Sequence, residues 1–285
     1  MTNLAEIKLD QNVLTHAVRE QNQDESALST YLQELKVKGY TIVPSGLNDA
    51  EIDELREKVD AVYAQQAAEV GGEANLKAMN DANIARALAA YDDVFIKAAA
   101  LPILMDIYEA NFGPNFTLMS QNGIINMPST DHYQFTWHRD LNYQHYVSSR
   151  PISLSALICL EPFNAETGGT YILEGSHREE EFPSKAYVQA NQQVVTANVG
   201  DIVVFDSMLY HRTGSNQSGK VRRGINHIVT QPFVKQQYSF PHMLGPREDI
   251  TNPQVRTLLG YGFEPALDVK SWRKAKLEKV GIQID

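Results

Sequence analysis

The stretch PISLSALICLEPF, residues 151–163, constrains the fold more than any other part of the chain. In an extended strand, Ile152, Leu154, Ala156, Ile158 and Leu160 share one side, with Ser153, Ser155 and Cys159 opposite. From about Asn115 to Gln231 the chain continues as short strands, including GGTYIL, QQVVTANV and GDIVVFD, divided by Gly, Pro, Asn and Asp turns. The first third reads as helical. A short amphipathic helix begins near Asp24 and stops at Gly39, before the strand-like Tyr40–Val43. Asn48 is a strong N-cap with Glu51 as its capping-box partner, and Ile52, Leu55, Val59 and Val62 follow at helical spacing up to Gly71-Gly72. An Ala- and Leu-rich run over about residues 83–111, interrupted by Pro102, predicts further helix, and Asn252-Pro253 starts another. Many short strands behind a helical layer predict a mainly β protein, a double-sheet jelly roll with N-terminal helices packed on one sheet.

Residues 1–25 are polar and weakly periodic and read as an extension. Residues 26–285 carry no linker or repeat and read as one domain with its core over about 115–235. An apolar content of 43% is enough for a substantial core. The net charge of −10 argues against nucleic-acid and anionic-membrane partners. The single cysteine, Cys159, excludes an intrachain disulfide. The N-terminus lacks a secretory signal pattern, and the apolar run KAAALPILM is too short to span a bilayer. A cytoplasmic protein acting on a small molecule is expected; the oligomeric state is left open.

The chemistry is concentrated in TWHRDLNY, residues 136–143. If residues 134–140 form a strand, His138 and Asp140 share a face and Arg139 lies on the other. His211 ends the strand GDIVVFDSMLYH, and Arg222 follows across a turn-rich stretch at the head of RRGINHIV. Each of these residues alone is ordinary: His-x-Asp recurs by chance, and strand-end histidines and loop arginines are usually satisfied or solvated. Together, two histidines and one carboxylate leave open positions on a metal, as in the facial triad of non-haem Fe(II) oxygenases. A buried guanidinium would grip the far carboxylate of a 2-oxo acid. The rival reading keeps the metal without oxidation, as an isomerase, hydrolase or sugar-binding module; Arg222 argues against it.

The segments WHRD, PFNAETGGTYILEGSH and GDIVVFDSMLYHRTGSNQSGKVRRGIN, with KGYTIVPSGLNDAEIDEL more weakly, resemble the phytanoyl-CoA dioxygenase family of Fe(II)- and 2-oxoglutarate-dependent oxygenases. The resemblance covers roughly residues 30–235. It implies a cupin-like double-stranded β-helix, iron held by His138, Asp140 and His211, and 2-oxoglutarate held by Arg222 rather than Arg223. It also implies that Thr213 meets the co-substrate, together with a strand amide for which Gln121 is the first match and Asn126 the second. The implied activity is O2-dependent hydroxylation of an unactivated carbon, with release of succinate and CO2. Asp140 favours this over halogenation, because related halogenases lack the carboxylate; desaturation and epimerisation stay open.

Arg139, Asn142, Tyr143, His145 and Arg212 are placed to line a polar substrate mouth, and Tyr143 and Tyr146 equally fit rim packing. Trp137 reads as core and His177 as a loop-shaping residue. His227 either approaches the site or satisfies a backbone group, and His16, His132 and His242 carry no role. The Lys- and Glu-rich SWRKAKLEKVG reads as a solvated terminal helix.

Overall fold

The computed structural model describes residues 24–128, 133–141 and 146–283. The chain opens with α1 (Ala27–Lys38), β1 (Tyr40–Pro44), α2 (Asp49–Glu69) and α3 (Glu73–Ala78). The short β2 (Ile84–Arg86), then α4 (Asp93–Ala99) and α5 (Pro102–Phe112), lead into the strands β3 (Thr117–Asn126), β4 (Ser153–Cys159) and β5 (Thr170–Ile172). There follow α6 (Lys185–Asn191), β6 (Gln193–Val194), β7 (Asp201–Asp206), β8 (His211–Thr213) and β9 (Arg222–Thr230). Three helices close the chain: α7 (Phe240–Leu244), α8 (Pro253–Leu259) and α9 (Val269–Lys279).

The local signals do what their chemistry requires. Gly39 stops α1 in the left-handed region, φ 88°, and its N–H donates to the Leu35 carbonyl. Asn48 and Glu51 close a reciprocal capping box on α2. Pro102 starts α5 and Pro253 starts α8, each in the first turn, where a missing N–H costs nothing. Helix α9 has no buried residue, as its charge pattern predicts.

Two antiparallel sheets form the body. The larger runs β1-β7-β4-β9-β3-β2 and the smaller β6-β5-β8. Leu154, Ala156, Ile158 and Leu160 pack on the outer side of the large sheet against Val59, Phe95, Leu104 and Tyr108 of the helices. Leu157 and Cys159 face inward, where Phe163, Ile172, Val195 and Phe205 fill the space between the sheets. This is the jelly roll with a helical layer on one sheet, and the period-two pattern of β4 assigns its two faces correctly.

Three local expectations are corrected. Residues 83–87 are not helical: Ile84–Arg86 pair with β3, and Asn83 and Ala87 take positive φ at either end, before a 3-10 turn at Leu88–Ala90. QQVVTANV forms a strand only at Gln193–Val194. Residues 134–140 are not a regular strand; a 3-10 turn at Tyr133–Phe135 is followed by one bridge, from His138 to His211. Residues 1–23, most of the expected polar extension, lie outside the described residues.

Candidate metal centre

Two backbone contacts bring the distant segments together. His138 and His211 exchange N–H to carbonyl bonds of 2.9 and 3.1 Å, and the Asp140 N–H donates to the Ser207 carbonyl at 3.0 Å. The segment carrying His138 and Asp140 is thereby held against the β7–β8 connection. His138, Asp140 and His211 each offer a ligand atom within 4.8 Å of the others. Asp140 Oδ1 lies 3.4 Å from His211 Nε2 and 3.9 Å from His138 Nε2.

Each ligand is oriented from behind. His138 Nδ1 sits 2.8 Å from the Thr136 carbonyl and His211 Nδ1 2.9 Å from the Leu209 carbonyl. Those carbonyls require N–H on Nδ1, which leaves each Nε2 lone pair aimed at the cluster. The Ser155 hydroxyl donates to Asp140 Oδ2 at 2.6 Å and Asn226 Nδ2 donates to the same oxygen at 3.1 Å. Oδ1 alone is left for a cation. Burial and the neighbouring His211 push the His138 imidazolium down to about 4, so the ring is neutral at physiological pH. Burial opposes charge on Asp140 too, but the His211 imidazolium beside it, with help from His138 and the Ser155 hydroxyl, more than offsets this, and the carboxyl stays well below its usual range. Burial likewise opposes charge on His211, but Asp140 outweighs it and raises the His211 pKa, so a metal would take the place of the proton on His211 Nε2. Two ring nitrogens and one carboxylate oxygen, each held by a hydrogen bond on its far side, then fit a divalent metal with open positions.

Beyond the cluster stands Arg222, fully buried at 2% exposure. Its Nη2 donates to the Gly168 carbonyl at 2.7 Å, and its guanidinium lies 4.2 Å from the Phe163 ring centroid. Its Nε has no hydrogen-bond partner, and among the described residues no carboxylate pairs with it. Burial lowers its pKa to about 10, still charged at neutral pH. A buried cation without a counter-ion is costly, and a ligand carboxylate would complete it. Arg223 points outward and is consumed by Asp60 and Glu161. Strand alternation thus separates the two arginines and leaves Arg222 facing the site.

The phytanoyl-CoA dioxygenase family profile matches residues 35–224. The chain belongs to the phytanoyl-CoA dioxygenase family. An uncharacterized protein of Mycobacterium tuberculosis, Rv1501, is 29% identical over 84% of this chain and 89% of its own length. The dioxygenase olcK of Penicillium canescens is 25% identical over 82% of this chain and 80% of its own. Among solved structures, EctD from S. alaskensis with 2-oxoglutarate and 5-hydroxyectoine superposes with a TM-score of 0.60 at 19% identity, covering 75% of this chain and 79% of EctD. The family consists of non-haem iron, 2-oxoglutarate-dependent oxygenases, so this chain is an oxygenase-type enzyme.

Within this family site the remaining expected residues divide. Thr213 is buried on the same face of β8 as His211. Asn126 is fully buried opposite Arg222 in the β3–β9 register and donates to the Gly168 and Gly214 carbonyls, so it braces the loop that holds the arginine. Gln121 does not reach the site. Its amide donates to the Phe95 carbonyl of α4 at 2.8 Å and lies 2.9 Å from His227 Nδ1, on the helical side of the sheet. Of the two, Asn126, the second choice, is the one that lies beside Arg222. His227 shares that outer face, and burial pushes its imidazolium down to about 3.

The arginines flanking the ligands also turn away. The Arg139 guanidinium stacks on Tyr210 at 3.9 Å and donates to the carbonyls of Ser176 and Glu179. Arg212 lies over Tyr171 at 4.1 Å and donates to Gln192 at 3.2 Å. Both lock loops behind the ligands; Arg139 also borders the cavity beside His138 and Asp140, and Arg212 does not. His177 is buried against Gly39, in keeping with a loop-shaping role. Trp137 packs beside Leu173, Val188 and Tyr210 as partly buried core. Tyr146 is 52% exposed. Asn142, Tyr143 and His145 lie outside the described residues, as do His16 and His132. Ser155 and Asn226, which hold Asp140, were missed by sequence reasoning; their inward parity on β4 and β9 was the available signal.

Proposed function

We propose that this protein is an Fe(II)- and 2-oxoglutarate-dependent dioxygenase that hydroxylates an unactivated carbon of a small molecule, releasing succinate and CO2. The observation that carries the reading is the pairing of a three-ligand cluster with a buried, counter-ion-free Arg222, His211 and Arg222 both bordering the apolar filling between the sheets through Phe205 and Phe163. Iron with the 2-oxo acid and O2 would supply the oxidation itself. The chain's residues do the rest. His138, Asp140 and His211 fix three positions on one side of a metal and leave the others to ligands. Arg222 would take the far carboxylate of the 2-oxo acid bidentately, with Thr213 and Asn126 beside it. The Phe163 ring and the apolar filling between the sheets exclude water from that end, which strengthens the ion pair. Asp140 occupies the position that related halogenases leave to halide, which favours hydroxyl transfer.

The test is anaerobic addition of Fe(II) and then 2-oxoglutarate. A visible charge-transfer band, lost in Asp140→Ala, supports the reading. Bound iron with no band and no 2-oxoglutarate binding at millimolar concentration rejects it in favour of a non-oxidative metal site.

A further inference from the structure

Strands β3 and β9 present two facing rows of side chains to the interior. Outward from the Arg222 end the pairs are Asn126 with Arg222, Ile124 with Gly224, Asn122 with Asn226, and Ser120 with Ile228. Arg222 and Asn226 are about 13 Å apart at the usual strand rise. Asn226 holds Asp140, so the rows divide at the metal ligands. The Arg222 end is taken by the co-substrate, and the outer end is left for the molecule to be oxidised.

That outer end is chemically unfinished. Ser120 Oγ, Asn122 Oδ1 and Asn226 Oδ1 are buried and have no hydrogen-bond partner. Their residues are 0%, 9% and 6% exposed. Buried polar atoms are nearly always paired, and each orphan destabilises the fold by its lost solvation. All three residues line one cavity of about 390 Å³ that also touches His138 and Asp140. The Asn226 amide is oriented by its Nδ2 bond to Asp140, so its Oδ1 can only accept. The floor therefore asks for donors, and hydroxyl groups supply them.

Charge sets the second requirement. Lys235 is exposed at the cavity rim and forms no ion pair among the described residues. Apart from the ligand Asp140, no described carboxylate lines the cavity. A cationic ligand would find no partner there; an anionic one would find Lys235. The volume lies near the low end of the range for small-molecule sites, about 300–1,000 Å³, and favours a compact molecule over a CoA thioester.

We infer that the substrate is a small hydroxylated acid, whose hydroxyls donate to Asn122 and Asn226 and whose anionic group meets Lys235. This rests on the oxygenase reading above and gives it a substrate class.

The experiment uses the full chain loaded anaerobically with Fe(II). It is titrated first with 2-oxoglutarate alone; failure at that step overturns the oxygenase reading and this inference with it. A matched panel is then added to the complex: the hydroxylated acids quinate, gluconate and glucuronate, the neutral polyols myo-inositol and glucose, and the hydroxyl-free cyclohexanecarboxylate. Binding is read from the perturbed visible band and from the melting temperature. At least one hydroxylated acid is expected to bind about tenfold more tightly than the neutral and hydroxyl-free compounds. Lys235→Gln should weaken that acid about two- to fivefold, as for a rim ion pair, and leave polyol binding unmoved. Asn122→Leu should abolish its binding, yet Asn122→Leu and Ser120→Ala should melt no lower than wild type, because each removes an orphan. With 2-oxoglutarate bound, three results overturn the inference alone: no hydroxylated acid binds, the neutral or hydroxyl-free compounds bind as tightly, or the variants bind the acid as wild type does.

Discussion

His138 and His211 sit directly opposite one another, joined by two backbone hydrogen bonds of 2.9 and 3.1 Å, with their ring centroids 4.4 Å apart. The contact that closes the site belongs to the main chain, while the chemistry belongs to the imidazoles. His211→Ala is therefore expected to keep its fold and melt cooperatively, with metal affinity reduced at least about a hundredfold and no turnover. Calorimetric metal titration beside circular dichroism checks both halves. A variant that unfolds would mean that His211 serves structure first.

The Ser155 hydroxyl reaches Asp140 Oδ2 at 2.6 Å from the inner face of β4. Ser155→Ala leaves the ligand set complete but frees the carboxylate to turn. Metal affinity should fall about 10- to 100-fold, the usual effect of removing a support behind a ligand. An unchanged affinity would show that Asn226 alone fixes the carboxylate.

Arg222→Ala should raise the 2-oxoglutarate requirement while iron still binds, a loss of about 2–5 kcal/mol for a buried bidentate partner. Arg222→Lys should recover only part of it, since an ammonium cannot match the planar fork. Steady-state kinetics in 2-oxoglutarate, beside metal titration, separate the two effects. Equal loss of metal and co-substrate binding would place Arg222 in the fold of the site rather than at the co-substrate.

The ligands and Arg222 were legible because their chemistry depends on residue type, order and spacing, although the strand expected for His138 and Asp140 is only a single bridge. The family resemblance, through its spacing after His211, preferred Arg222 to Arg223, and alternation along β9 sets Arg222 inward and Arg223 outward. The five-residue spacing of Gln121 and Asn126 puts them on opposite faces of β3, and only the pairing of Asn126 with Arg222 shows which face is the inner one. Gln121 falls among the helices. The helix expected to begin near residue 83 misled for another reason. Propensity is a weak prior, and pairing of Ile84–Arg86 with the edge of β3 overrides it. The pairing of Asp140 with Ser155 and Asn226 spans long sequence separations and needed the register.

Gly168 holds Arg222 through its carbonyl and has φ 72°. A Cβ there would lie 2.4 Å from the Gly214 carbonyl oxygen and 2.6 Å from Asn126 Nδ2. Backbone blocks one side and the conformation is unfavourable to any other residue. Gly168→Ala should destabilise the protein by about 1–3 kcal/mol and raise the 2-oxoglutarate KM more than it changes metal affinity. Chemical denaturation and co-substrate kinetics test the two parts. A variant with wild-type KM would uncouple this loop from the arginine.

Asp206, away from the cluster, gives the pH prediction. Burial raises its carboxyl to about 6 from 3.8, although the Met208 N–H and the nearby Arg139 and Arg178 guanidiniums pull the other way. The folded state thus binds this proton more tightly than the unfolded chain. Its contribution to stability is fully present below the unfolded value of 3.8 and is lost as pH rises through about 6. Asp206→Asn keeps the acceptor for Met208 and carries no charge, so it escapes that loss. Relative to wild type, the variant should gain stability between pH 4 and pH 7, by up to about 3 kcal/mol. Urea unfolding of both proteins across this range measures the difference. A difference that stays flat, or that moves against the variant as pH rises, would mean that Arg139 and Arg178 already compensate the buried carboxylate.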